Sequence, residues 1–262
     1  MTLGRAWDIR KQVGESSSSQ SDVLVIEEPL ELRIEGQAVA VVMRTPGHDH
    51  DLALGFLCTE GVIDGADDIQ AMAHVHDLQS QEDNVLDCIL SSGMGAERKA
   101  LANRTLFASS SCGICGKESI ERIRVRARPL STHPQLSVAV VQQAPEQLRK
   151  RQPIFAATGG IHGALLMDRS GAVRLCREDV GRHNAVDKVI GAALKQELEL
   201  EQLVMVISGR AGFEIAQKCI VAGIPALIAV GAPSSLAVEL ATETGLELIA
   251  FARGESFNRY TD

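Results

Sequence analysis

The chain has 262 residues, a hydrophobic fraction of 45% and only 3% aromatic residues, so its core is expected to be built from Val, Leu, Ile and Ala, as in many α/β proteins. Its net charge of -8 argues against a general nucleic-acid binder, which carries a basic balance. No apolar run is long enough for a membrane span and the start has no apolar signal segment, so the expected location is the cytoplasm, where structural disulfides are rare.

The N-terminal stretch 1–22, with its run GESSSSQSD, is polar and of low complexity and predicts a flexible tail. Residues 23–108 predict a β-rich domain. VLVIEEPLELRIEGQAVAVVMRT alternates apolar and polar residues around Glu35-Gly36, the pattern of a hairpin. TPGHDHDLALGFLCTEG predicts a turn into a short helix, with Asp49 or Asp51 as cap and Gly61 as stop. His48 and His50 resemble half of a metal site, but polar residues collect at helix starts in any case. MAHVHDL and NVLDCILS predict two strands, with His74 and His76 on one solvent-facing side.

Six cysteines occur. Cys58, Cys88, Cys176 and Cys219 sit in apolar surroundings and read as small buried hydrophobes. Cys112 and Cys115 form a local pair in SSSCGICGKES, residues 109–120 being expected as a mobile loop. Three chemistries compete for the pair. A structural zinc site needs four ligands, and the chain has no second Cys-x-x-Cys. A thioredoxin-like redox pair sits within a βαβ unit, whereas here the α/β half follows the motif. A persulfide carrier needs an exposed thiolate on a mobile segment. Gly113 and Gly116 loosen the backbone, Lys117 and a following helix start favour the thiolate, and a second thiol can relay the outer sulfur.

RIRVRAR (122–128) places Arg122, Arg124, Arg126 and Arg128 at alternate positions, a basic face if the segment is a strand. Residues 121–262 predict an α/β domain. APEQLRKRQ starts a helix with Pro145 in its first turn. HGALLMD and AVRLCRED are strands around a turn at Ser170-Gly171. GRHNAVDKVIGAALKQ, GFEIAQKCIVAG and APSSLAVELATETG are helices; LVMVIS, PALIAVG and LELIAF are buried strands. Strands separated by helices predict a mostly parallel sheet covered on both faces, a three-layer sandwich.

Anion-binding features cluster in this half. The strand-to-helix turn ISGRAGFE offers backbone N–H groups, Gly209 and Gly212 allow close approach, and Arg210 can pair with phosphate. GAPSS repeats the arrangement at the next turn, and ligands of open α/β sheets sit at the strands' C-terminal ends. In FARGES, Arg253 directly follows a strand. Glu178, Asp179, Arg182 and His183 enter a helix together, either as caps and a local ion pair or at a ligand mouth.

Taken together, SSSCGICGKESI (109–120), TGGIHGALL (158–166), REDVGRHNAVDKVIG (177–191), SGRAGFEIAQK (208–218), VGAPSSLAVELA (230–241) and FARGESFNRY (251–260) resemble the FdhD family of formate dehydrogenase accessory sulfurtransferases. The resemblance runs from the first hairpin to the C-terminus. It implies a sulfur carrier that takes persulfide sulfur from a cysteine desulfurase. The acceptor it implies is the molybdenum bis(molybdopterin guanine dinucleotide) cofactor, which formate dehydrogenase needs for activity. It implies persulfide on Cys112, assistance from Cys115, and cofactor contact by Phe251, Ala252, Arg253, Gly254, Glu255 and Ser256. It also implies a homodimer, no catalytic metal of its own, no membrane or nucleic-acid partner, and a cytidine-deaminase-like fold for the larger half. The chain departs from true deaminases: no Glu lies two residues after His162, and GAPSSLA has Ser and Leu where a deaminase has zinc-binding cysteines. A cofactor-holding chaperone and a zinc protein stand as the alternative functions.

Overall fold

The computed structural model describes residues 4–75, 84–92 and 129–261. His76, the cysteine loop 109–120 and the arginines of 122–128 lie outside these residues. Among the described residues are six α-helices and three sheets. None of these helices is long and apolar enough to cross a membrane.

The polar N-terminal stretch departs from the expected tail. Residues Arg5–Val13 (β1) and Ser16–Leu24 (β2) pair in register as an exposed antiparallel hairpin. Gly14, with φ 58°, opens the two-residue turn between Val13 and Ser16, a backbone state that costs glycine little. Low hydrophobicity hid these strands because only backbone pairing defines them.

The second sheet has the order β4-β3-β6-β5, from Glu28–Ile34 (β3), Gln37–Arg44 (β4), Ile69–His74 (β5) and Val85–Leu90 (β6). Leu30, Leu32 and Ile34 point into a core with Leu86, Cys88 and Leu90, capped by Leu52, Phe56 and Leu57 of α1 (Asp49–Thr59). That is the two-residue period of a half-buried strand made real. The expected stop at Gly61 coincides with a left-handed φ of 71°. The N-cap, however, is His48 rather than Asp49 or Asp51. Both aspartates are buried and claimed by arginines: Asp49 by Arg44 at 3.0 Å, Asp51 by Arg177 at 2.9 Å. His74 is not a solvent-facing strand residue, because it turns toward α1, edge-on to His50 at 5.6 Å.

The third sheet has the order β12-β11-β10-β9-β7-β8, from His162–Asp168 (β7), Val173–Asp179 (β8), Leu203–Ile207 (β9), Ala226–Ala229 (β10), Glu247–Arg253 (β11) and Ser256–Arg259 (β12). Only β9, β10 and β11 run parallel. Strand β7 is antiparallel to both its neighbours, and β12 folds back on β11, so the sheet is mixed where a mostly parallel one is expected. Short turns at Ser170-Gly171 and Gly254-Glu255 allow only hairpins; parallel pairing needs a longer crossover.

Helices cover both faces. One face packs on α4 (Arg182–Lys195), α5 (Phe213–Val221) and α6 (Ser235–Thr244). The other packs on α2 (Val138–Arg149), through Val140, Val141, Ala144 and Leu148. Helix α2 begins seven residues before the expected Pro145. Ser137 accepts from the Val140 N–H as N-cap, and Pro145 falls inside the helix. The valine run SVAVV reads as strand by propensity; burial of one face and a good cap override it.

Helices α1 and α4 weld the second sheet to the third. A Cβ built on Gly55 would lie 1.9 Å from the Asp187 carbonyl oxygen, and one on Gly191 would lie 1.9 Å from that of Asp51. The backbones are in direct contact there. Buried ion pairs flank the crossing. Lys188 and Asp179, both 0% exposed, meet at 2.7 Å, and Lys188 also donates to the Thr45 carbonyl. Lys218 donates to Asp187 and to Thr59. Cys58, Cys88 and Cys219 are buried as expected, whereas Cys176 is half-buried.

Candidate functional site

The C-terminal ends of β9, β10 and β11 and the start of β7 open on one side of the third sheet, and a two-lobed cavity lies there. The smaller lobe, about 340 Å³, is lined by Arg182, Arg210, Arg253 and His162, with the backbone of Gly209 and Gly231 as its floor. Each arginine arrives from a different element: the first turn of α4, the turn after β9 and the end of β11. Among the described residues none of the three has a carboxylate partner; Arg253 donates only to the Val230 carbonyl, at 3.2 Å. Three guanidiniums around one concavity, none in a salt bridge to a carboxylate among the described residues, suit an anion.

The turns are laced to one another. The Gly231 N–H donates to the Gly209 carbonyl, that of Ala211 to Ala232, and that of Phe251 to Gly231. A Cβ on Gly231 would lie 2.7 Å from the Gly209 oxygen, so this close approach requires glycine. Beside them Ser208 accepts from the Gly163 N–H at 3.0 Å and lies 3.4 Å from His162 Nδ1. Burial, and then the Arg182 cation, hold His162 below the ordinary imidazole pKa against the opposing pull of Asp179. The ring is therefore mainly neutral at pH 7 in the free protein.

The larger lobe, about 630 Å³, meets the smaller at His162, Ser208, Val230 and Arg253 and runs to Gln142, Glu146, Arg149, Gln152 and Phe155. Its outer wall is the end of α2 and the short helix α3 (Pro153–Thr158). Glu178 holds that wall in place: its carboxylate accepts from the N–H groups of Ile154 and Phe155 at 3.0 and 2.8 Å. Burial nevertheless raises the Glu178 pKa, against those two hydrogen bonds.

The motif EDVGRHN thus splits by role. Glu178 and Asp179 are structural, Arg182 faces the cavity, and His183 pairs with Glu214 at 2.7 Å, joining the first turns of α4 and α5. Of the two glycines expected at the first anion turn, Gly209 lines the smaller lobe while Gly212 is the N-cap residue of α5. In the segment 251–256, Ala252, Arg253 and Gly254 line the larger lobe. Phe251 has φ 53° and an exposed ring, the Glu255 carbonyl accepts from Gln142, and Ser256 donates to the Arg253 carbonyl. Cys112 and Cys115 lie outside the described residues. Sequence reasoning missed Arg149, Gln152 and Phe155, which carry no motif; tertiary packing alone brings them to the cavity.

The four described cysteines share one chemistry. Burial pushes the Cys58 thiol up to about 11 and those of Cys88, Cys176 and Cys219 up to about 12. At a pKa of 11 only about one thiol in ten thousand is ionised at pH 7, and the thiolate is the nucleophile.

Comparison with known proteins gives a consistent result. The model of the FdhD/NarQ family matches residues 25–262. The sulfur carrier protein FdhD of Mycolicibacterium paratuberculosis is 48% identical over 249 residues, covering 93% of this chain and 91% of its own. That of Streptomyces coelicolor is 44% identical, covering 98% of this chain and 95% of its own. A crystal structure from Desulfotalea psychrophila, described as a formate dehydrogenase accessory protein, superimposes with a TM-score of 0.78 at 22% identity, covering 100% of this chain and 98% of that one. At that identity it shows the fold alone.

Proposed function

The chain belongs to the FdhD/NarQ family, and from that premise we propose that it is a sulfur carrier in the maturation of formate dehydrogenase, with Cys112 and Cys115 as its working thiols. The observation that carries this reading is the inertness of the other four. Burial pushes the thiols of Cys58, Cys88, Cys176 and Cys219 up to about 11 or 12, which supports giving the sulfur chemistry to Cys112 and Cys115. Loading is a thiol exchange. The Cys112 thiolate attacks the outer sulfur of a cysteine desulfurase persulfide, the S–S bond to the desulfurase breaks, and its cysteine leaves as thiolate. The exchange is redox-neutral, and Cys115 assists release of the outer sulfur.

The acceptor substrate in this reading is the molybdenum bis(molybdopterin guanine dinucleotide) cofactor. The smaller lobe supports it, because Arg182, Arg210 and Arg253, with no salt bridge to a carboxylate among the described residues, suit pyrophosphate. Phe251, Ala252, Arg253, Gly254, Glu255 and Ser256 are proposed as contacts along one rim. Strand order and helices on both faces support a cytidine-deaminase-like ancestry for the larger half.

The test is incubation of the full chain with a desulfurase and cysteine, then peptide mass spectrometry. Added sulfur on Cys112 or Cys115 is the expected result, and its loss in Cys112→Ala assigns the carrier. Unmodified cysteines would refute the carrier reading. They would favour the chaperone alternative, provided the protein still binds pyrophosphate. Stoichiometric zinc lost in Cys112→Ala would instead identify a zinc protein.

A further inference from the structure

The turn that carries Arg182 is held from outside the cavity. Arg182 is the first residue of α4, where a cation meets the positive end of the helix dipole, and it shares the smaller lobe with Arg210 and Arg253. Among the described residues no carboxylate forms a salt bridge to its guanidinium, so its backbone sets its place. That backbone is fixed by Asp179, which is 0% exposed and accepts four hydrogen bonds. Its Oδ1 accepts from the Gly181 N–H at 2.8 Å and from Asn184 Nδ2 at 3.0 Å. Its Oδ2 accepts from the Thr45 N–H at 3.1 Å and from Lys188 at 2.7 Å. The acceptor sites of the carboxylate are thereby filled. A Cβ on Gly181 would lie 2.8 Å from Asn184 Nδ2, so glycine there makes room for the amide.

The other half of this network belongs to the second sheet. Asn184 Nδ2 also donates to the Met43 carbonyl, at 2.7 Å, near the end of β4. At Thr45, just past that strand, the N–H donates to Asp179, the carbonyl accepts from Lys188, and the hydroxyl oxygen accepts from the Val180 N–H at 3.2 Å. Thr45 is buried, so water does not compete for these bonds. On its far side the same turn is pinned to α5 by His183 and Glu214. We propose that Asn184 and Thr45 are positioning residues that tie Arg182 to the end of β4, so that the second sheet governs how this guanidinium meets an anion. Arg210 and Arg253 arrive on β9 and β11 of the third sheet and stand outside the network. Strand β4 is an edge strand, and the Met43 side chain on it is 49% exposed. A displacement there therefore reaches Arg182 through Asn184 without touching the anion. This inference rests on the phosphate reading of the smaller lobe.

The test is a set of double-mutant cycles on the full chain, read as pyrophosphate affinity by calorimetry well below each variant's melting midpoint. Asn184→Ala and Thr45→Val should each weaken binding by about threefold to tenfold, the scale of one lost hydrogen bond. Thr45→Ser, which keeps the hydroxyl, should bind as the unsubstituted chain does. In an Arg182→Ala background the same two substitutions should add no further loss, because they act only through that arginine. In an Arg210→Ala background they should add their loss nearly in full. A merely structural role would lower affinity alike in both backgrounds, and that result would overturn the proposal. So would Asn184→Ala binding pyrophosphate as tightly as the unsubstituted chain; because Asn184 is only partly buried, this arm stands even should Thr45→Val melt early. If the unsubstituted chain does not bind pyrophosphate, or Arg182→Ala binds it equally well, the phosphate reading itself falls and this inference with it.

Discussion

Gly55→Ala is the sharpest probe of how the two sheets are joined. The new Cβ would sit 1.9 Å from the Asp187 carbonyl oxygen and 2.6 Å from its carbon. Both groups are helix backbone, so no side chain can rotate away. Restoring an ordinary contact of 3.4 Å forces α1 and α4 apart by about 1.5 Å, which also pulls on Asp51–Arg177 and Asp187–Lys218. Overpacking of this kind costs about 1–3 kcal/mol. A backbone clash belongs at the upper end, while alanine returns about 1 kcal/mol of helix propensity. The expected net loss is about 2 kcal/mol, a fall in Tm of roughly 4–8 °C for a chain of this size, read by far-UV circular dichroism. Gly191→Ala should behave alike, because its Cβ meets the Asp51 carbonyl across the same gap. The double variant should lose less than the sum of the singles, since the first substitution has already opened the space. A Tm that stays level or rises in either single variant would refute the close crossing, and additive losses would refute the shared gap.

Lys188→Met should destabilise by about 3–5 kcal/mol in urea unfolding, because Asp179 is then left buried and uncompensated. Arg174→Ala, at the exposed Asp168–Arg174 pair, should cost under about 1 kcal/mol. Brief iodoacetamide treatment of the native protein followed by peptide mapping should leave Cys58, Cys88 and Cys219 unmodified, as expected from buried thiols pushed up to about 11 or 12; rapid labelling of these three would contradict the inert-thiol argument. In NMR titrations His162 should deprotonate at lower pH than an ordinary histidine. Pyrophosphate should raise that midpoint, since an adjacent anion favours the imidazolium. By linkage, pyrophosphate should bind more tightly as pH falls through the midpoint, and an unmoved midpoint would place the anion away from His162.

Much of the architecture was legible in the sequence for a local reason. Leu30, Leu32 and Ile34 alternate, and Val186, Val189 and Ile190 recur at helical spacing, so periodicity alone assigns them. Gly209, Arg210 and Arg253 could be picked out as anion-binding candidates because glycine at a strand end allows close approach and a guanidinium there can pair with phosphate; all three line the smaller lobe. What stayed hidden depends on partners distant in sequence. Asp49 and Asp51 read as helix caps, yet Arg44 and Arg177 claim them. The hairpin at 5–24 carries almost no apolar pattern and exists through backbone pairing.

The sequence by itself determined most strands and helices of the two larger sheets, the glycine turns and the isolated Cys-x-x-Cys pair, because each rests on neighbours within a few residues. Only the tertiary structure decided which side chains share a cavity. It brought Arg182, Arg210 and Arg253 from three elements to one lobe and set the unpartnered amide of Gln152 against Gly163 in the next. It also made Gly55 and Gly191 a helix contact rather than two weak helix formers. The physical reason is the same throughout: hydrophobic periodicity is written along the chain, whereas electrostatic and hydrogen-bond complementarity is settled only when distant segments are packed together.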